Sequence, residues 1–269
     1  EEFAVRSHER ALAAQADGRF DREILPLAGL TADEGPRTPD AAKIASLDPI
    51  VPGGLHTAAT ASQMSDGAAA LLLASEEAVR RHGLTPRARI HHLSARGADP
   101  VMMLSAPIPA TAYALDRMGL TIDDMDLVEI NEAFAVVAEK FIRDLDLDRE
   151  KVNINGGSIA LGHPIGASGA RVLVTLIHEL IRRDAHKGLA TLCIGGGMGG
   201  VQGLFDVGGV GARKLGDGLT VDRGKVGEVL TAGRLDELAV DVIAVAGFEG
   251  NDSAFAAGMG VTHDESPVL

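Results

Sequence analysis

The chain reads as an α/β protein. Short apolar runs of strand length alternate with stretches of helix length, and the residues able to do chemistry fall at or just after the strand-like runs. With 269 residues, 46% hydrophobic and 23% charged, there is enough apolar material for one large domain or two ordinary ones with buried cores. No solenoid-type repeat runs through it.

Glu2 to Ala16 sets Phe3, Val5, Ala11 and Leu12 among Arg6, His8, Glu9 and Arg10, which predicts a polar-faced helix with a modest apolar stripe, stopped at Asp17-Gly18. Residues 26 to 62 hold Pro26, Pro36, Pro39, Pro49 and Pro52 with Gly53-Gly54, a loop-rich span suited to closing over a ligand. Ala68 to Leu73 is fully apolar, as a buried strand requires. Ser75 to His82 has a helix's punctuation: Ser75 as N-cap, Glu76 and Glu77 in the first turn, Gly83 as the stop.

A second unit begins near Arg87. Ala88-Arg89-Ile90 starts a strand, Ala110 to Met118 forms a helix stopped by Gly119, and Leu127-Val128-Glu129-Ile130 is a short strand feeding Asn131. Ala133 to Arg143 is helical, Val152-Asn153-Ile154 is short and extended, and Ala170 to Arg183 is a helix apolar on most of its circumference, hence buried. Gly188 to Ile194 is a central strand. From residue 203 onward five Lys and Arg face eleven Asp and Glu, and Val240 to Ala246 has the pattern of a strand. Beyond residue 207 Phe248 and Phe255 offer little core, so poor order is expected there.

A formal net charge of −13 argues against nucleic acid or an anionic membrane as the main partner, and asks a phosphate-bearing ligand to find a local positive patch. The single cysteine excludes an internal disulfide, and its glycine-rich setting matches neither a zinc ligand set nor a CxxC pair, so no metal site is expected. With a free thiol, no apolar run long enough to insert in a membrane and no secretory leader, a cytoplasmic location is expected. The sequence opens Glu1-Glu2-Phe3 without methionine, as expected if more chain precedes it.

Three short motifs carry chemistry. Gly162-His163-Pro164-Ile165-Gly166-Ala167-Ser168-Gly169 fixes one imidazole among residues of special backbone geometry, more than packing alone requires, before an apolar helix. If that helix starts near Ser168, its positive end keeps His163 neutral. Cys193 ends an apolar strand and precedes Gly195-Gly196-Gly197, whose N–H groups can approach a ligand without side-chain obstruction. A free thiol titrates near ~8.5, which makes Cys193 an acid/base candidate, although free cysteines are also common core residues. Asn131 in Asn131-Glu132-Ala133-Phe134 suits either a helix N-cap or an amide that holds a water or a carbonyl oxygen. Ser62, in Ala61-Ser62-Gln63-Met64-Ser65-Asp66-Gly67, taken alone reads as loop polarity.

In combination and in order, these motifs resemble the thiolase family. Ser7-His8-Glu9-Arg10-Ala11 with Gly18-Arg19-Phe20, the Ser62 to Gly67 segment and Pro107-Ile108-Pro109-Ala110 extend the resemblance from residue 1 to about residue 206. It implies a layered αβαβα fold, present here as its C-terminal part with an incomplete N-terminal half. The divisions implied are a partial loop domain over 1–63, the end of the N-terminal core domain over 64–83, a C-terminal domain over 84–206 and an unassigned tail over 207–269. It implies CoA-dependent cleavage of a 3-oxoacyl-CoA or the reverse Claisen condensation, with coenzyme A as substrate, no permanently bound cofactor, and a dimer or tetramer of like chains. By resemblance Cys193 is the acid/base, and His163 activates the nucleophile and, with a water held by Asn131, stabilises the thioester oxyanion. The N–H of Gly195 joins a second oxyanion hole, Ser62 contacts the pantetheine of CoA, and Ala133 and Phe134 line the pocket.

The departure from the family pattern is the nucleophile. Thiolases acylate a second cysteine, and Cys193 is the one cysteine of this sequence. Two other readings therefore stand beside the acyltransferase: a non-catalytic acyl-CoA or lipid-binding protein of thiolase fold, and a broken gene product with exposed apolar surface. Val101-Met102-Met103-Leu104 suits an acyl tunnel or, better, core packing.

Overall fold

A computed structural model describes residues 1–27 and 29–205 together with the strand Asp241–Val245. In chain order the elements are α1 (Glu2–Ala16), α2 (Ala41–Ala45), β1 (Leu71–Ser75), α3 (Glu76–His82), β2 (Ala88–Gly97), α4 (Pro107–Met118), β3 (Leu127–Ile130), α5 (Ala135–Asp144), α6 (Ser158–Leu161), α7 (Ser168–Arg183), β4 (Gly188–Ile194), β5 (Met198–Phe205) and β6 (Asp241–Val245), with short 3-10 turns between some of them. The six strands form one mixed sheet in the order β1-β6-β2-β5-β4-β3. β3 runs parallel to β4, β6 runs parallel to both β1 and β2, and β5 is antiparallel to β2 and β4.

Strand alternation sorts the core onto the two faces of this sheet. Val128 and Ile130 of β3, Leu189 of β4 and Val201 of β5 meet Ala110 and Ala114 of α4 and Phe141 of α5. Leu127 and Ala190, one position away, meet Val172, Leu173, Leu176, Ile177 and Leu180 of α7. By the same alternation Glu129 goes to the α7 side, where it is buried.

Most predicted elements are present, and the differences have local causes. Of the predicted stripe Phe3, Val5, Ala11 and Leu12, α1 buries Ala11 and packs a half-buried Phe3 on the core, while Val5 and Leu12 stay half-buried. The helix also buries Ala4, Ser7, His8 and Ala14, because Ser7 and His8 find partners: Ser7 Oγ donates to Glu132 Oε2 at 2.7 Å, and His8 Nδ1 accepts from the Arg37 N–H at 3.3 Å. β1 starts at Leu71 rather than Ala68 and is only partly buried, with Leu73 40% exposed, since it pairs on one side only among the described strands. α4 begins at Pro107 rather than Ala110, with proline in the first turn, where its lacking N–H costs nothing. The expected extended run Val152-Asn153-Ile154 is broken at its centre: Asn153 sits at φ 46°, bridged by Val152 to Val128. Of the stretch 207–269, only the strand at 241–245 is described, and it matches the strand expected over Val240 to Ala246; the expected poor order concerns residues outside the described ones. Among the described residues, no helix is long and apolar enough to cross a membrane.

Candidate active site

The site is built at the C-terminal ends of β3 and β4. Ile130 stands opposite Thr191 in the parallel register, and the Asn131 N–H donates to Thr191 O at 3.0 Å, so Asn131 leaves the sheet beside the strand that delivers Cys193. Asn153 fixes this exit. Its amide accepts from the Ile130 N–H and donates to Ile130 O, both at 2.8 Å, so one side chain continues the strand ladder where no strand remains. It also donates to Glu132 Oε1 at 2.9 Å.

Asn131 is not a helix N-cap. α5 starts only at Ala135 with Phe134 in the cap position, and the fully buried Asn131 amide is turned to other partners. Its Oδ1 lies 2.5 Å from Ser158 Oγ and its Nδ2 lies 3.3 Å from His163 Nε2. The neighbouring Glu132 is also buried and anchors the loop: it accepts from Ser7, from Asn153 and, at 3.1 Å, from the Ile159 N–H. Burial pushes its carboxyl above the ordinary range against those three hydrogen bonds. Gly157 has no room for a side chain, because a Cβ there would run into the Glu132 carboxyl.

His163 is held from both sides. Its N–H donates to Gln63 O at 2.8 Å, and its Nδ1 lies 2.6 Å from Ser168 Oγ in the first turn of α7. Gly162 permits the approach with φ 96°. α7 does begin at Ser168, and the imidazole is held below its ordinary range, which favours its neutral form; the main cause is burial, followed by the charge of Arg171. Cys193 is partly buried, and burial pushes its thiol above the ordinary range rather than leaving it near neutrality. The loop after it is the hairpin joining β4 to β5, where Gly196 and Gly197 take φ 80° and 83°, while a Cβ on Gly195 would meet open space.

The 61–63 segment ties these loops together. Ala61 bridges to Phe134, the Ser62 N–H donates to Ala133 O at 3.0 Å, and Gln63 Nε2 donates to Ile159 O at 2.9 Å and Ala160 O at 2.8 Å. Ser62, Ala133 and Phe134 are thus brought together beside the Asn131–His163 pair, and His56 lies against Phe134 with ring centroids 5.9 Å apart. The run Val101-Met102-Met103 does not pack in the core: these residues are exposed, Val101 by 89%, and only Leu104 packs on the core. Sequence reasoning gave no role to Ser158, Ser168, Asn153 or Gln63. Their signal was available only as polar residues beside glycines or inside the quoted motifs.

The family model described as "Thiolase, N-terminal domain" matches residues 1–77 and "Thiolase, C-terminal domain" matches residues 84–204. A steroid 3-ketoacyl-CoA thiolase, FadA6, of Mycobacterium tuberculosis is 56% identical over 205 residues, covering 75% of this chain and 50% of that protein. An acetyl-CoA acetyltransferase of Paracoccus denitrificans is 48% identical over 210 residues, covering 74% and 54%. A crystal structure of human mitochondrial 3-ketoacyl-CoA thiolase in complex with CoA matches with TM-score 0.72 at 40% identity, covering 76% of this chain and 53% of that one. The chain spans about half the length of the curated relatives it matches. On the two matched models, the identity of its relatives and the shared α/β fold, the chain belongs to the thiolase family.

Proposed function

We propose that the chain carries one half of a Claisen-type acyl-CoA site, which cleaves a 3-oxoacyl-CoA with CoA as acyl acceptor or condenses acyl-CoA in reverse. The observation that supports this best is the Asn131–His163 pair, 3.3 Å apart, with Asn131 just past the end of β3 and Cys193 near the end of the parallel neighbour β4. In this reading His163 Nε2 takes the proton of an attacking thiol. The resulting N–H, together with a water held by Asn131, then donates to the thioester oxygen as charge develops there. Cys193, protonated at rest because burial raises its thiol, gives a proton to the leaving carbanion in cleavage; in condensation its thiolate takes the α-proton. The Gly195 N–H joins a second oxyanion hole; a Cβ at this glycine would meet open space, and a donor of that kind contributes ~3–4 kcal/mol of barrier lowering. Ser62 meets the pantetheine of CoA, Ala133 and Phe134 line the acyl pocket, and like chains assemble as dimers or tetramers.

A second reading, binding of acyl-CoA without turnover, has one observation in its favour: Cys193 is the only cysteine of the sequence, whereas the thiolase resemblance implies two. Loss of acetoacetyl-CoA enolate absorbance in the presence of CoA, read beside calorimetric CoA binding, separates the two. Turnover that drops roughly 10²-fold in Cys193→Ala supports the acyltransferase. Binding without turnover in either protein fits the second reading and equally a half-site that lacks its nucleophile, which exchange of the acyl-CoA α-protons then separates, and absence of both sinks the pair.

A further inference from the structure

Behind Asn131 stands a layer of polar side chains that the thiolase-type reading leaves without a role. Ser158, in the first turn of α6, is fully buried, and its hydroxyl lies 2.5 Å from Asn131 Oδ1. On its other side Arg171 Nη2 approaches the same hydroxyl at 3.4 Å. Arg171 and Ser168 are three residues apart at the start of α7 and so share one face of that helix. One helix therefore carries both the hydroxyl that meets His163 Nδ1 and the guanidinium that reaches Ser158. The charge of Arg171 acts on a buried acidic neighbourhood, Glu129, Glu132, Glu23 and Asp33, which gives it reason to be held inside rather than in water.

The donor inventory gives this chain of contacts a direction. A guanidinium only donates, so Ser158 Oγ accepts from Arg171 and sends its single proton to Asn131 Oδ1. Asn131 Nδ2 is then the end that faces His163, and it donates to Nε2 at 3.3 Å. A neutral imidazole whose Nε2 accepts carries its proton on Nδ1. That proton goes to Ser168 Oγ at 2.6 Å, and Ser168 passes its own to Pro164 O at 2.8 Å. The opposite amide orientation would set two donors against Ser158 Oγ and leave the serine proton without an acceptor in a fully buried position.

We propose that Ser158, supported by Arg171, is a positioning residue: it fixes the Asn131 amide with Nδ2 toward His163 and so holds His163 in its Nδ1–H tautomer, with Nε2 unprotonated and accepting from that amide. Because it takes Asn131 and His163 as the working pair, the assignment rests on the thiolase-type reading above, yet its test needs no substrate.

The full chain labelled with 15N-histidine gives the tautomer directly from long-range 15N–1H correlations of the imidazole rings. Among its nine histidines, His163 is identified by the signals lost in His163→Asn. The wild-type chain is expected to show the Nδ1–H pattern at His163. Ser158→Ala, which removes one oxygen from the interior and is checked for folding by circular dichroism, is expected to shift the balance toward Nε2–H, and Arg171→Gln to shift it in the same direction. Ser158→Cys, a weaker donor, is expected to fall between wild type and Ser158→Ala. If an Arg171 variant does not fold, the two Ser158 variants decide. An Nε2–H pattern in wild type, or an unchanged Nδ1–H pattern in Ser158→Ala, overturns the assignment. A tautomer shift in a chain that binds no CoA upholds the positioning role while removing the thiolase-type function.

Discussion

Glu129 shows what a single residue's surroundings do to it. Strand alternation puts it on the α7 side of the sheet, where burial, and secondarily the negative charge of Glu132, Glu23 and Glu179, raise its carboxyl to about 8 against the pull of Arg171. Unfolded, the same group loses its proton near ~4.3. Between those values the folded state holds the extra proton, so its contribution to stability is full below the unfolded pKa and is lost as pH rises through about 8. Glu23, raised to about 7 mainly by burial, acts in the same direction. Glu129→Gln keeps the volume and removes the titration, so its Tm is expected to fall less than that of wild type between about pH 5 and pH 9; equal slopes would contradict the assignment. The sequence places Glu129 in a strand but cannot show that its neighbours are acidic, because Glu23 and Glu179 come from distant segments. The same limit applied to Asn131. Its motif suited a cap as well as an amide site, and the choice was made by Ser158 and His163, which no local pattern ties to it.

At the scale of elements, glycine hid what apolar runs revealed. β4 was legible as Gly188 to Ile194 because its run is apolar and of strand length, whereas β5 was not predicted, because Gly199, Gly200 and Gly203 lower its β-propensity. The strand forms because β2 and β4 pair with it on both sides, and its glycines let α4 come close. A Cβ on Gly199 would lie 2.6 Å from the Ala106 carbonyl carbon and 2.7 Å from Pro107 N, both backbone atoms that cannot swing away. Gly199→Ala is therefore expected to destabilise by about 1–3 kcal/mol, lowering Tm in a thermal melt, whereas Gly195→Ala, with open space around it, should leave Tm close to wild type. A Gly199→Ala melt indistinguishable from wild type would show that α4 does not press on β5 as described. α1 taught the complementary lesson: its buried face includes Ser7 and His8 beside the predicted Ala11, so a helix stripe drawn from apolar residues alone found only part of that face.

For the whole molecule, the α/β class and the three motifs that carry Asn131, His163 and Cys193 were readable from order and spacing. Their convergence was not, since it depends on β3 lying parallel beside β4 and on Gln63 stitching the 61–63 segment to the turn that bears His163. On the proposed function these residues form one half of a Claisen site, and α-proton exchange isolates that half, because it requires an acid/base and an oxyanion site but no acyl-carrying cysteine. The decisive measurement is deuterium incorporation from D2O into the methyl group of acetyl-CoA by the full chain, followed by mass spectrometry. The account predicts incorporation above the buffer rate in wild type and roughly a 10²-fold loss in Cys193→Ala. Incorporation no faster than buffer, or equal rates in wild type and Cys193→Ala, would contradict it.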